Sequence, residues 1–223
     1  MTTTPDFLVI AIDGGAASGK STTARKLAEE LDLMHVDTGS YYRSLTAAIL
    51  EKGINPDDSR LESFLDSASL STRIGNRSGT LLLEGVSFPQ EVLRSEKVNA
   101  NVSSFAALPM VRKKLFDYQR NQVLVAQENG FSGLVMEGRD IGSVIFPDAR
   151  VRVFLHADPA VRSSRRAAQG ENDAIEARDK TDSTRATAPL TCPDGATSID
   201  TGSSTVEEVV ELISQLVQSR QTP

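Results

Sequence analysis

Short apolar runs and amphipathic helices alternate along most of the chain. Five runs of apolar, often β-branched residues have the length of buried strands: residues 7–12, 34–36, 133–136, 151–155 and 197–199. Four segments repeat apolar side chains at the spacing of one helix face: residues 21–31, 42–52, 109–130 and 206–217. Strands that alternate with helices predict an α/β fold, in which helices cover both faces of a five-stranded parallel sheet.

Capping side chains mark several of the predicted helix starts. Residues 59–62 and residues 204–207 both have the Ser-x-x-Glu spacing of a capping box. Asp158 precedes Pro159, which suits a helix N-cap followed by a proline in the first turn. We therefore expect three helices to begin at these positions.

The alternation is interrupted between residues 64 and 100. Residues 70–74 and 80–83 have strand patterns, and the polar, glycine-containing segment between them is typical of a hairpin loop. We predict that residues 64–100 form a small antiparallel unit. This unit is inserted into a core made of residues 1–63 and 101–223.

Composition and charge exclude several classes of protein. The 223 residues carry 24 Lys and Arg against 30 Asp and Glu, and the net charge of −6 disfavours binding to nucleic acid or to an anionic membrane. Cys192 is the only cysteine, which excludes an intramolecular disulfide and a structural zinc site built on cysteines. No apolar run reaches about 18 residues, and the first residues lack the basic start of a secretion signal. We expect a cytoplasmic monomer.

A glycine-rich motif lies between the first predicted strand and the first predicted helix. Residues 14–21 match the pattern G-x-x-x-x-G-K-[ST] of a phosphate-binding P-loop. In such a loop, backbone N–H groups surround a polyphosphate and the helix N-terminus favours its negative charge. We expect Lys20 to reach the β- and γ-phosphates of ATP and Ser21 to ligate Mg²⁺. The predicted ATP-binding residues of the loop are Gly14, Gly15, Ala16, Ala17, Ser18, Gly19, Lys20, Ser21 and Thr22.

Polar segments follow the second and third predicted strands, at the sheet edge where open α/β folds bind ligands. They are DTGSYYR at 37–43 and EGRD at 137–140. Glu137 is placed to hold Mg²⁺ directly or through water, and Arg43 and Arg139 could each bind an anionic acceptor through a planar guanidinium group. The GTPase markers N-K-x-D and D-x-x-G are missing from the sequence, so phosphoryl transfer to a small acceptor is the favoured chemistry.

Together these motifs resemble the bacterial cytidylate kinases of the nucleoside monophosphate (NMP) kinase family. The resemblance covers nearly the whole chain and includes SSFAALPMVR at 103–112, EGRDIGSVIFPDA at 137–149 and RDKTDSTRATAPL at 178–190. It implies a P-loop NTPase fold in which residues 64–100 are the NMP-binding unit and residues from about 163 to 186 are a short lid. The implied reaction transfers the γ-phosphoryl group of ATP, with Mg²⁺, to CMP or dCMP and yields ADP and CDP or dCDP.

The resemblance also implies how CMP is bound. Arg43 and Arg139 match the residues that hold the CMP phosphate, whereas Ser103, Arg112 and Asp140 match those that surround cytosine. A carboxylate suits the N4 amino donor of cytosine and would be repelled by the O4 acceptor of uracil, so Asp140 is the expected specificity residue. The implied substrate-binding residues are Thr38, Arg43, Ser103, Arg112, Arg139, Asp140, Arg178, Asp182 and Arg185.

Several of these residues belong to the lid region. By resemblance, Asp182 takes the ribose hydroxyls, Arg178 and Arg185 reach ribose and phosphates, and Arg165 packs on the adenine of ATP. The residues expected to stabilise the transferred phosphoryl group are Lys20, Arg43, Arg139, Arg178 and Arg185.

The sequence departs from the family pattern at four positions and in one length. Gly15 stands where proline is usual, and Ala17 stands where glycine is frequent. Thr181 and Ser183 stand where many members carry arginine, and the segment 166–178 is shorter than in most members. We expect these differences to affect lid closure and rate rather than the class of substrate.

Two alternative functions differ from this interpretation. One is a related kinase for another acceptor, such as UMP, AMP or shikimate, and the acceptor-side residues argue against it. The other is a nonenzymatic ATP-binding regulatory module, which the reduced number of lid arginines slightly favours. His35 and His156 lie on or beside predicted strands, where lone histidines are more often structural than catalytic, so they are assigned no role. An anionic phosphate acceptor also needs no general base.

Overall fold

The computed structural model describes residues 7–168 and 175–220, and within them strands and helices alternate as predicted. The strands are β1 (Leu8–Gly14), β2 (Leu33–Asp37), β3 (Leu70–Gly75), β4 (Ser78–Leu83), β5 (Gly133–Gly138), β6 (Val151–His156) and β7 (Thr197–Asp200). The helices are α1 (Lys20–Glu30), α2 (Thr38–Glu51), α3 (Arg60–Ser67), α4 (Gln90–Leu93), α5 (Glu96–Ala107), α6 (Pro109–Glu128), α7 (Pro159–Ala168), α8 (Ile175–Thr184) and α9 (Val206–Ser219). A π-helical turn spans Ile141–Ile145.

The strands of the described residues form one sheet in the order β3-β4-β2-β5-β1-β6-β7. From β2 to β7 every neighbouring pair is parallel, which confirms the predicted five-stranded parallel sheet. The predicted hairpin is present, because β3 and β4 pair antiparallel. β4 also joins β2 through a parallel bridge between His35 and Ser78, so the hairpin extends the main sheet at its edge.

Helices cover both faces of this sheet with apolar side chains. Leu45 and Ile49 of α2 and Leu115 of α6 are fully buried in the core on one face. Leu27 of α1 and Ile213 of α9 are fully buried in the core on the other face. The apolar faces predicted from helical spacing are therefore the faces that pack on the sheet.

The capping box of the last helix lies one residue beyond the predicted position. Glu208 N donates to Thr205 Oγ1 at 3.2 Å, and Thr205 N donates to Glu208 Oε2 at 2.8 Å. The predicted pair of Ser204 and Glu207 is therefore wrong. The segment SSTVEE holds two overlapping matches to the motif, and the spacing of residues alone does not choose between them.

The predicted capping box of Ser59 and Glu62 is also wrong. Ser59 occupies the N-cap of α3, but in the described structure its side chain makes no capping hydrogen bond. Instead, Asp58 Oδ1 accepts from Arg60 N at 2.9 Å. The carboxylate of Asp58 also accepts from the Arg60 guanidinium at 2.6 Å, which fixes it over this helix start.

The start of α7 agrees with the prediction, since Asp158 Oδ1 accepts from Ala160 N at 2.8 Å.

The predicted inserted unit, residues 64–100, begins inside α3 and ends inside α5. Of the predicted lid, residues 169–174 lie outside the described residues. Within the described ranges, no helix is both long enough and apolar enough to cross a bilayer.

Candidate active site

The P-loop connects the carboxyl end of β1 to α1, as the motif predicts. Gly19 is the N-cap of α1 with a φ of 89°, a left-handed conformation that glycine adopts without strain. A Cβ on Gly14 would lie 2.1 Å from Leu155 O, so this position also requires glycine. Ala17 has a φ of 56°, which is strained for alanine and accounts for the preference for glycine there.

Lys20 begins α1, and its ammonium group folds back over the loop. Its Nζ donates to Gly15 O at 2.6 Å and to Ser18 Oγ at 3.4 Å. Burial, together with the positive charge of Arg139, lowers the pKa of Lys20 to about 7. Phosphate oxygens beside the ammonium group would favour its protonated form, which is the form that can neutralise a polyphosphate.

The structure brings Ser21 and Glu137 together at the carboxyl edge of the sheet. Ser21 Oγ donates to Glu137 Oε2 at 2.8 Å, and Glu137 is buried. Burial opposes ionisation, but the hydrogen bond from His35 and the charge of Lys20 lower the pKa of Glu137 below its ordinary value. Mg²⁺ prefers oxygen ligands and commonly uses one or two protein groups plus substrate phosphates and water. A hydroxyl and an ionised carboxylate beside a P-loop therefore fit Mg²⁺.

A cleft next to the P-loop contains most of the predicted substrate-binding residues. It is lined by Thr38, Arg43, Ser103, Arg139, Asp140, Arg178, Asp182 and Arg185, among others. Arg112 lies beneath the cleft and is buried, and its Nη2 donates to Asp140 Oδ2. The fold thus brings together residues that are spread over almost 150 positions of the sequence.

One end of this cleft has a concentration of positive charge. Arg43 Nη1 donates to Leu93 O at 2.7 Å and to Asn99 Oδ1 at 2.6 Å, so α4 and α5 orient its guanidinium group. Burial and the nearby charges of Arg178 and Arg166 lower the pKa of Arg43 to about 10, which leaves it protonated at neutral pH. Converging guanidinium groups of this kind suit a phosphate group.

The other end of the cleft is built around Asp140. Its Oδ2 accepts from Arg112, and its Oδ1 accepts from Arg185 Nη2 at 3.4 Å. The Arg112 guanidinium also lies over the ring of Tyr42, 5.4 Å from its centroid. Asp140 is therefore a buried carboxylate whose orientation is fixed by two arginines, which suits the recognition of a small polar ring.

Helix α8 contacts the P-loop through carboxylates. Arg139 links the two, because its Nε donates to Asp182 Oδ2 and its Nη1 donates to Gly14 O, both at 2.8 Å. Asp179 Oδ1 accepts from Ala16 N at 3.0 Å. A carboxylate from the predicted lid thus accepts a hydrogen bond from a backbone N–H group of the P-loop. P-loops use N–H groups of this kind to bind phosphate.

Sequence motifs gave no role to several residues that contact the P-loop or the segment after Asp140, among them Asp179, Arg162 and Asp13. Arg162 donates to Asp179 and, through Nη1, to Ala16 O at 3.2 Å. Asp13 is buried and accepts from the N–H groups of Ile141 and Gly142, both at 2.7 Å, which fixes the backbone just after Asp140. Asp13 lies 128 residues from Ile141 in the chain, so no local pattern indicates their contact.

Arg165 lies in a second cleft, on the other side of the P-loop. Residues 17–22 line this cleft together with Arg165 and Thr201. Arg165 donates to Thr201 Oγ1 at 3.1 Å and to Thr201 O at 2.5 Å. Thr201 Oγ1 in turn donates to Ser18 O at 3.1 Å, so Arg165 is held beside the P-loop, and the contact with adenine that the resemblance implies stays a prediction.

This fold and this site define a P-loop kinase that acts on a small molecule, with a phosphate-binding loop and an adjacent cationic cleft on one sheet edge. The sequence model of the cytidylate kinase family matches residues 10–219, and the chain belongs to this family.

Curated relatives match over nearly the whole chain. The cytidylate kinase of Chloroherpeton thalassium is 38% identical, over 94% of this chain and 92% of that protein. The cytidylate kinases of Limosilactobacillus reuteri and Mycobacterium leprae are each 37% identical, over 96% of this chain and 96% of those proteins. A sugar kinase from Janibacter sp. aligns with a TM-score of 0.50 and 12% identity, over 97% of this chain and 99% of that chain. This last likeness shows the fold alone.

Proposed function

We propose that this protein is a kinase that transfers the γ-phosphoryl group of ATP to CMP or dCMP. The observation that carries the proposal is the buried carboxylate of Asp140, held between Arg112 and Arg185 in the cleft beside the P-loop. Relatives named cytidylate kinase, similar over 92% and 96% of their length, support the same acceptor. The reaction belongs to pyrimidine nucleotide metabolism, and the expectation of a cytoplasmic monomer stays a prediction.

The acceptor nucleotide is proposed to lie across the cleft, with its phosphate at the cationic end. Arg43 and Arg139 bind the phosphate, and the carboxylate of Asp182 takes the ribose hydroxyls. Residues 64–100 act as the NMP-binding unit, which is supported by the contacts of Leu93 and Asn99 with the Arg43 guanidinium. Thr38 lines the floor of the same cleft, where its hydroxyl donates to Glu137 O at 2.8 Å.

Base recognition is proposed to depend on charge and hydrogen-bond direction. The carboxylate of Asp140 accepts from the N4 amino group of cytosine, while Arg112 and Ser103 donate to its acceptor edge. Uracil carries an oxygen at position 4, which donates no hydrogen bond to the carboxylate and would be repelled by its negative charge. Sites that hydrogen-bond a substrate group reject analogues lacking it more strongly than apolar pockets do.

The phosphoryl transfer is proposed to need positioning and charge neutralisation rather than proton abstraction. The CMP phosphate oxygen attacks the γ-phosphorus in line, and ADP leaves. Lys20 and the arginines at positions 43, 139, 178 and 185 stabilise charge on the transferred group. Mg²⁺, held by Ser21 and Glu137, would neutralise charge on the β- and γ-phosphates. Residues from about 163 to 186 act as the lid that excludes water, and Arg165 packs on adenine.

The test is ADP production from ATP and Mg²⁺ with CMP, dCMP, UMP, AMP and GMP offered separately. Wild-type protein is expected to use CMP and dCMP, and Asp140→Ala is expected to lose most of its preference for CMP over UMP. Asp57→Asn, which changes an exposed aspartate that does not line the cleft, is the matched control and should behave as wild type. Preferential use of UMP or AMP by the wild type, or no transfer to any acceptor, would contradict the proposal.

A further inference from the structure

His35 lies in the middle of β2, between the hairpin strand β4 and the central strand β5. In the parallel pairing of β2 and β5, His35 is opposite Val135, and Asp37 is opposite Glu137. Side chains two residues apart on a strand face the same side of the sheet, so His35 lies diagonally next to Glu137 on one face. The ring is buried, with 4% of the residue exposed.

Both ring nitrogens of His35 have partners in different parts of the fold. Nε2 lies 3.0 Å from Glu137 Oε1, and Nδ1 lies 3.2 Å from Ser78 Oγ in the hairpin. An ionised carboxylate can only accept, so Nε2 carries the hydrogen in this contact. In the neutral ring, Nδ1 is then the acceptor, and the Ser78 hydroxyl donates to it.

The two carboxylate oxygens of Glu137 therefore accept hydrogen bonds from two different side chains. Oε1 accepts from His35, and Oε2 accepts from Ser21 of the P-loop at 2.8 Å. The last torsion of a glutamate side chain has broad minima, so a carboxylate without such a partner would not keep one orientation. His35 selects the orientation in which one oxygen faces the hydroxyl of Ser21.

We propose that His35 is a positioning residue for the Mg²⁺–ATP end of the site: it fixes the carboxylate of Glu137 toward Ser21, and Ser78 of the hairpin fixes the ring. This inference rests on the proposed function. It assigns His35 a task that its position in a strand did not suggest. Groups that orient a metal-binding side chain typically change metal affinity by about 10- to 100-fold when they are replaced.

Two substitutions of similar size separate the two contacts of the ring. In His35→Gln, the amide nitrogen lies as many bonds from Cβ as Nε2 and can still donate to Glu137. In His35→Asn, the amide lies where Nδ1 was, so the contact with Ser78 is kept and the contact with Glu137 is lost. Ser78→Ala leaves the ring in place and removes its second partner.

The main readout is the affinity for Mn²⁺, measured by electron paramagnetic resonance with the nonhydrolysable ATP analogue AMPPNP bound. We expect His35→Asn to raise the Mn²⁺ dissociation constant about 10-fold and His35→Gln to stay within about twofold of wild type. In the kinase assay, the Mg²⁺ concentration for half-maximal rate should follow the same order, while the KM for CMP should not change.

Equal Mn²⁺ affinities for His35→Asn and wild type, or equal losses in the Asn and Gln variants, would overturn the proposal. If His35→Asn does not fold, Ser78→Ala provides the test. A weaker Mn²⁺ affinity of Ser78→Ala supports the proposal, and an unchanged Mn²⁺ affinity refutes it. Mn²⁺ binding requires no acceptor nucleotide. A wild-type protein that fails to phosphorylate CMP would therefore refute the proposed function while the Mn²⁺ comparison still tests His35.

Discussion

Replacing Asp13 with Asn should change the stability of the protein in a pH-dependent way. Asp13 is 1% exposed at the end of β1, and its carboxylate accepts from the N–H groups of Ile141 and Gly142 at 2.7 Å. Burial raises the pKa of Asp13 from 3.8 to about 6, although these two hydrogen bonds act in the opposite direction. The folded protein therefore keeps this proton at pH values where the unfolded chain has released it.

The sign and size of the effect follow from this difference in pKa. Between pH 3.8 and about 6 the folded state binds more protons than the unfolded state, so the free energy of unfolding falls as the pH rises. A shift of this size corresponds to about 3 kcal/mol, lost in full above the folded-state pKa. Asn titrates at no pH, but its single acceptor oxygen can serve only one of the two N–H groups, which lowers the stability of the variant at every pH. Relative to wild type, the free energy of unfolding of Asp13→Asn should therefore rise by up to about 3 kcal/mol as the pH rises from below about 4 to 7.

Urea unfolding, followed by circular dichroism at several pH values between 4.5 and 7.5, measures this difference. The stability of Asp13→Asn relative to wild type should fall steadily as the pH is lowered. The control Asp57→Asn, at an exposed position, should give a difference that does not vary in this way. If the difference between Asp13→Asn and wild type stays constant over this pH range, the pKa of Asp13 is not raised and the prediction is refuted.

Three further substitutions test the P-loop and its contacts. Lys20→Ala should lower kcat at least about 100-fold and leave the melting temperature nearly unchanged; an active variant would contradict the role of Lys20. Asp179→Ala, which removes the oxygen that accepts from Ala16 N, should bind ATP several-fold more tightly in calorimetric titrations. The exposed Lys180→Gln is the control, and an unchanged ATP affinity of Asp179→Ala would refute this prediction. Ala17→Gly should raise the free energy of unfolding by about 1 kcal/mol in urea, since its φ is 56°, and a decrease would contradict the strain.

Much of the fold could be predicted because its signals are local. The apolar runs of β1 and β5 and the apolar faces of α1 and α9 depend on spacing within one element, and the structure confirms them. Helix starts were less reliable, since several polar side chains at each start compete for the same N–H groups. The joining of the hairpin to β2 could not be predicted, because the bridge of His35 with Ser78 has no pattern of its own.

In the candidate site, too, local motifs could be predicted from the sequence and long-range contacts could not. The P-loop is a continuous motif, so its position and its link to α1 follow from the sequence. Asp140 and Arg112 were expected to lie together only through the resemblance, and the structure gives them a direct contact. The contact of Asp179 with Ala16 joins residues 163 positions apart, and only the folded chain shows it. The roles assigned to all these side chains stay predictions.

Direct observation of phosphoryl transfer to CMP tests the proposed function. The protein is incubated with Mg²⁺, CMP and ATP labelled at the γ-phosphate, and the nucleotides are separated by chromatography. The label is expected in CDP, and ADP is expected to form in equal amount. Label found only in inorganic phosphate, or remaining entirely in ATP, would contradict the proposed function.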